Sequence, residues 1–192
     1  WSMTTNRFPS YHLYHHVDSE SLKSSGMLTR FGFEEGYRAE FKDRLRELVA
    51  VPVTRHSAEE AVALRVALLN LGRPTGPRVK GDPARLLAAV RDNATLLCNE
   101  LAQLYGYAAH VMGFRVRLMH LSRSIFDPWD SHATVEVWDE TRNKWIVSDP
   151  TFNVSFVQDG DYLSMVELYD AAHDPAGRRV DILRGAEATY AY

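Results

Sequence analysis

Cys98 is the only cysteine of the chain, and two groups able to work with a thiol follow it in order. His132 opens the run His132-Ala-Thr-Val-Glu-Val-Trp138, and Asp149 lies in Trp145-Ile-Val-Ser-Asp149-Pro-Thr. A free thiol titrates near 8.5, so only a small part of it is nucleophilic at neutral pH. A helix N-terminus and a neighbouring imidazolium each favour the thiolate. A carboxylate at the far ring nitrogen holds the imidazole in the tautomer that takes the thiol proton. Singly, each residue has a plainer use: a cysteine among leucines is ordinarily core, a strand histidine is ordinarily a satisfied structural group, and Asp before Pro is a turn former. The ordered set points instead to nucleophilic acyl chemistry.

Such chemistry needs elements that bring the three groups together. The apolar stretch from Thr95 to Tyr105 reads as a helix capped by Asp92 or Asn93, with Cys98 in its first turn or two and its end near Gly113. Phe114, Val116 and Leu118 alternate with Arg115, Arg117 and Met119, which predicts a strand. A loop from Ser122 to Ser131 follows, and then a hairpin of His132–Trp138 and Lys144–Asp149 about a turn at Asp139–Asn143. If Trp138 and Lys144 flank that turn, His132 falls opposite residue 150, one position from Asp149. Cross-strand neighbours lie about 5 Å apart at Cβ, so a His132–Asp149 hydrogen bond is expected. Glu136 shares the face of His132 by period two, either orienting the site or forming a structural ion pair. Packing of the Cys98 helix on the sheet must supply the third contact.

Upstream, Tyr37, Phe41, Leu45, Leu48 and Val49 give an amphipathic helix over 34–49, stopped by Pro52. Ser57-Ala-Glu-Glu60 has the form of a capping box opening a helix to about Leu71, and Pro83 starts a short helix to about Arg91. Residues 152–170 read as a further strand or short helix, and the tail from Asp174 as loop plus a final strand. Residues 1–32 form an irregular N-terminal arm. Its His12, His15 and His16 could share a helical face and hold a metal, but no acidic or cysteine partner is near, which favours an exposed arm. The expected class is α+β, with first-half helices packed on an antiparallel sheet built mainly from the second half.

These residues resemble the transglutaminase-like superfamily of papain-related cysteine enzymes over about Asn93–Thr151. The carriers are the cysteine-headed helix, Gly113-Phe-Arg-Val-Arg-Leu, His132-Ala-Thr-Val-Glu-Val-Trp and Trp145-Ile-Val-Ser-Asp-Pro-Thr151. The chain departs from the pattern at Leu96 and Leu97, where the family often has glycine, and at Thr134, where it has an aromatic; these departures bear on substrate choice. The resemblance implies that 33–192 is a single transglutaminase-like catalytic domain with a papain-like core. Cys98 is then nucleophile, His132 acid and base, and Asp149 its orienting partner, with no metal or organic cofactor. The implied activity is hydrolysis of a peptide or amide bond through a thioester acyl-enzyme, on a peptide, protein or other amide-containing substrate. Acyl transfer to an amine (crosslinking or amide formation) is the competing enzyme reading. A catalytically silent member binding peptide or glycan is the non-enzyme reading. Trp129, in the loop just before His132, is a candidate groove wall beside Trp145. Asn99 and Asn93 are candidate donors beside the Cys98 N–H, while His110, His120 and His173 are read as structural.

The bulk properties narrow the class. At 192 residues, 45% hydrophobic and 24% charged, the chain fits one soluble domain. No apolar run approaches the roughly 20 residues of a membrane span. A net charge of −3 gives no long-range attraction to nucleic acid. A lone cysteine makes no internal disulfide. The chain begins at Trp1, as a processed or trimmed product does, so cytoplasmic and exported locations both stay open. Oligomeric state is not legible.

Overall fold

The computed structural model describes residues 12–14, 35–124, 127–177 and 179–190, with 12–14 and 122–130 described by backbone only. The first helix, α1 (Glu35–Leu48), buries Phe41 and Leu45 on the face its spacing predicts. A two-way capping box opens α2 (Ala58–Leu69): Ser57 Oγ accepts the Glu60 N–H at 3.3 Å and Glu60 Oε2 accepts the Ser57 N–H at 3.4 Å. The short α3 (Pro83–Arg91) starts on its proline, and Asp82 accepts the Arg85 N–H at 3.0 Å. The next helix, α4 (Cys98–Val111), is buried nearly all round, including Leu101, Leu104, Tyr105 and Ala108, as a central helix must be. Gly106 permits its close approach to the sheet, since a Cβ there would stand 2.9 Å from Leu118 Cδ2 and 3.7 Å from Val135 Cγ2.

The sheet under α4 is antiparallel, ordered β1 (His12–Tyr14), β2 (Val116–Ser124), β3 (Asp127–Asp139) and β4 (Lys144–Val147). A second antiparallel sheet places β5 (Val154–Gln158) between β6 (Asp161–Tyr162) and β7 (Asp181–Arg184), with α5 (Met165–Ala172) after β6. The protein is α+β, with α1 to α4 preceding all strands but β1, as the patterning broadly indicates. Two expectations change. The stretch read as a loop from Ser122 to Ser131 is largely strand, because β2 and β3 continue their ladder through Ser122↔Ser131 to Ser124↔Asp127, which satisfies backbone groups a loop would leave to water. Within the arm, His12–Tyr14 pairs with β2, so His12 lies on a strand rather than a helical face; His15 and His16 lie outside the described residues.

Alternation gives the main sheet two distinct faces. Ala133, Val135, Val137 and Ile146 join the core shared with α1 to α4. On the other face Met119, Val147 and Met165 form a smaller cluster. Among the described residues, no helix is long and apolar enough to cross a membrane.

Asp139 ties the β3–β4 turn to α2. Its carboxylate accepts from Thr141 N (2.8 Å), Thr141 Oγ1 (2.6 Å), Arg142 Nη1 (2.6 Å) and Ala58 N (3.0 Å). Burial pushes this carboxyl up, but the hydrogen bonds from Thr141, Arg142 and Ala58 outweigh it and hold the value below the usual range. A folded-state value below the unfolded one gives stability present in full above the unfolded value of about 3.9 and lost as pH falls through the folded value. The melting temperature is therefore expected to hold from neutral pH to about 5 and to drop below about 4. Asp139→Asn should flatten part of that acid limb and cost about 1–3 kcal/mol at pH 7; thermal melts across pH check both.

Candidate active site

The register of β3 on β4 is Asp139↔Lys144, Trp138↔Trp145, Val137↔Ile146 and Glu136↔Val147. Carried onward, this register sets His132 opposite residue 151 rather than 150, one step from the expected alignment. The ladder keeps this register as far as Ser148 and Val135, and the chain leaves it at Asp149. Ser148 donates its N–H to Val135 O at 2.9 Å, and Asp149 then bridges Val154 through two backbone bonds of 2.9 and 3.1 Å. Asp149 is thereby folded back toward β3, and His132 Nε2–H donates to its Oδ2 at 2.5 Å. Oδ1 of the same carboxylate accepts the N–H groups of Thr151 (2.8 Å) and Phe152 (3.0 Å), so the aspartate is fixed by its own turn. With Nε2 engaged, Nδ1 is the nitrogen left to accept a proton. The exposed Phe152 ring lies 5.1 Å from the imidazole, centroid to centroid.

Cys98 is the first residue of α4, half-buried and packed against the edge of the main core. The expected cap is absent. Asn93 has a left-handed backbone (φ 61°) and spends its Oδ1 on the Arg73 N–H at 2.8 Å. The residue in the cap position is Leu97, whose side chain cannot accept a hydrogen bond, and Glu100 reaches back to its N–H at 3.0 Å. The helix thus opens at the cysteine with no side-chain cap over its first turn, which leaves donors and the positive end of the helix dipole facing outward. Tyr190 braces this entry: its hydroxyl accepts the Leu96 N–H at 2.6 Å and donates to Ala94 O.

The ends of α4 and β3 correspond. Gly106 sits against Val135, and the C-terminal end of α4 at Gly113 lies against His56, whose carbonyl accepts the Glu140 N–H at 3.1 Å. The N-terminal end therefore lies along the part of β3 that precedes Val135, on the Ala133 and Val135 face of the sheet. From Gly106 back to Cys98 is about 12 Å of helix, and from Val135 back to His132 about 10 Å of strand. Pro150 and Leu101, one turn beyond Cys98, line the same small cavity. Among the described residues no hydrogen bond joins Cys98 to His132; contacts of this kind often close only when substrate binds.

The other candidates divide. Asn99 lies in the first turn of α4, half-buried. Trp129 falls on the β3 backbone, and its side chain lies outside the described residues. Trp145 packs edge-on to Trp138 at 5.4 Å under the Arg117 guanidinium, a sheet-face cluster. Burial lowers the His120 value and the charge of His132 lowers it further, so His120 lies within electrostatic reach of the site. No sequence motif marks Phe152; its place three residues after Asp149 in an Asp-Pro turn is the signal that locates it.

No protein-family model matches the chain, and no curated protein matches it. Among solved structures, it is similar to the periplasmic domain of TgpA from Pseudomonas aeruginosa, determined bound to ethylmercury. The two share 19% identity and a TM-score of 0.41 over 63% of this chain, and the chain spans 45% of the length of that one.

Proposed function

We propose that the protein is a cysteine-dependent hydrolase of peptide or amide bonds, with Cys98 as nucleophile, His132 as general acid and base, and Asp149 as the group orienting His132. The observation that carries this reading is the 2.5 Å contact from His132 Nε2 to Asp149 Oδ2, where β3 runs on past the end of β4, downstream of a helix that opens on the cysteine. The resemblance of these four stretches to the transglutaminase-like superfamily, and a domain over 33–192, belong to the same reading.

The chemistry follows from the roles. His132 Nδ1 takes the thiol proton, and the thiolate attacks the substrate carbonyl carbon to form a C–S bond. The oxyanion is met by the outward-facing N–H groups at the start of α4, with Asn99 a candidate second donor. The imidazolium returns its proton to the leaving amine as the C–N bond breaks, leaving a thioester. Water, deprotonated by His132, then attacks the thioester, and the C–S bond breaks to release the acid and the protonated thiol. An amine in place of water gives transfer, and the dryness of the acyl-enzyme pocket decides between them.

Iodoacetamide alkylation of the native chain tests the nucleophile. The rate near pH 7 is expected to exceed that of a free thiol at least tenfold, with the label on Cys98 and none on Cys98→Ala. An ordinary thiol rate overturns the reading and favours a silent binder. Product masses from a peptide or amide donor, with and without a primary amine, distinguish hydrolysis from transfer.

A further inference from the structure

One fully buried charge lies outside the catalytic set. Arg65, on α2, is 0% exposed, and its guanidinium forms no ion pair among the described residues. It is held instead by neutral acceptors that flank Asp149 on both sides. Nη1 donates to Ser148 Oγ (2.7 Å), Val154 O (2.9 Å) and Ser155 Oγ (3.0 Å), and Nε donates to Asn153 Oδ1 (3.0 Å). Ser148 also bonds the Tyr105 hydroxyl at 2.8 Å, and Tyr105 donates to Ala61 O at 3.0 Å, so α2, α4 and the turn form one buried network. Nη2 has no partner among the described residues, and Arg65 lines the small cavity that also holds Pro150. A buried guanidinium is expensive to desolvate, and an apolar residue of similar volume usually stabilises a core as well or better. Its bonds, however, all converge on the two arms of the turn that bears Asp149.

We propose that Arg65 is a positioning residue for Asp149: by clasping Ser148 on one arm and Asn153, Val154 and Ser155 on the other, it holds the turn in the shape that sets the carboxylate against His132. The kinetic consequence rests on the Cys98–His132–Asp149 reading, whereas the geometric one does not. Without the clasp, the arms lose their common anchor and the carboxylate leaves its line with Nε2. A displacement of about 1 Å is enough to slow a reaction roughly a hundredfold.

The test uses the full chain and the variants Arg65→Met and Arg65→Lys. The first readout is the His132 Nε2–H proton resonance, assigned by its disappearance in His132→Ala and expected far downfield for so short a bond. In Arg65→Met it is expected to move upfield or exchange away while circular dichroism shows a folded protein, with partial return in Arg65→Lys. The second readout is the Cys98 alkylation rate: a fall of about tenfold, toward the free-thiol rate, in Arg65→Met, and no further loss when Arg65→Met is added to Asp149→Ala, which removes the carboxylate altogether. An unmoved resonance in folded Arg65→Met, or losses that multiply in the double variant, overturns the proposal. If Arg65→Met does not fold, Ser148→Ala, which removes one acceptor and keeps the guanidinium, gives the same comparison. An unenhanced native alkylation rate defeats the nucleophile reading alone, and the resonance still decides the role of Arg65.

Discussion

Replacing His132 with alanine is expected to reduce turnover of a peptide or amide substrate by about 10⁴-fold, equivalent to about 5.5 kcal/mol of transition-state stabilisation. Without the imidazole the thiol has no base at neutral pH, and the leaving amine has no acid. Iodoacetamide alkylation of Cys98 should fall toward the free-thiol rate, because that assay reads thiolate formation without leaving-group protonation. Asp149→Asn should be milder, about 10²-fold, since an amide oxygen still accepts from Nε2–H and the Thr151 and Phe152 N–H bonds can persist. The ordering of the two variants is itself informative: a His132→Ala protein that hydrolyses substrate and alkylates at the native rate removes His132 from the mechanism. The melting temperature of His132→Ala is expected to stay within a few degrees of native, as the His132 side chain is partly exposed.

Local physics was legible in the sequence, and long-range physics was not. The helix starts at Ser57 and Pro83 follow from capping chemistry confined to four residues, and both occur where that chemistry puts them. The pairing of His132 with Asp149 follows from counting along a hairpin. The count was off by one because Asp139, read as part of the turn, is the last strand residue, its carboxylate gathering Thr141 and Arg142 beneath it. Asn93 looked like the cap of α4, but Arg73, twenty residues earlier, takes its side chain, and the helix begins later, at Cys98 itself. The groups that brace the site lay beyond pattern reading altogether. Arg65 meets Asn153 across 88 residues, and Tyr190 meets Leu96 across 94, and no periodicity encodes either contact.

Glu136 is where the two readings of one residue make the most different forecasts. It stands on the face of His132, which suits a site-orienting role, yet its contacts run elsewhere. It is 0% exposed; Oε1 accepts the Met165 N–H at 2.7 Å, at the start of α5, and Oε2 lies 2.8 Å from Arg117 Nη2. Arg117 in turn covers the Trp145 ring at 4.0 Å. The carboxylate thus joins β3 to α5 and anchors the tryptophan cluster. Glu136→Ala removes the counter-charge of a guanidinium that is itself only 12% exposed and leaves the first N–H of α5 without its acceptor. Breaking a buried pair from one side costs about 3–5 kcal/mol, which in a domain of this size lowers the melting temperature by roughly 6–20 °C. Removing both charges together, as Glu136→Met with Arg117→Met, should recover much of that loss, because the desolvation of both ions disappears with them. Where Glu136→Ala is still folded, the alkylation rate of Cys98 should match the native protein. A rate that falls with little change in stability would instead return Glu136 to the site, since an ion pair that only joins sheet to helix has no means of slowing the thiol.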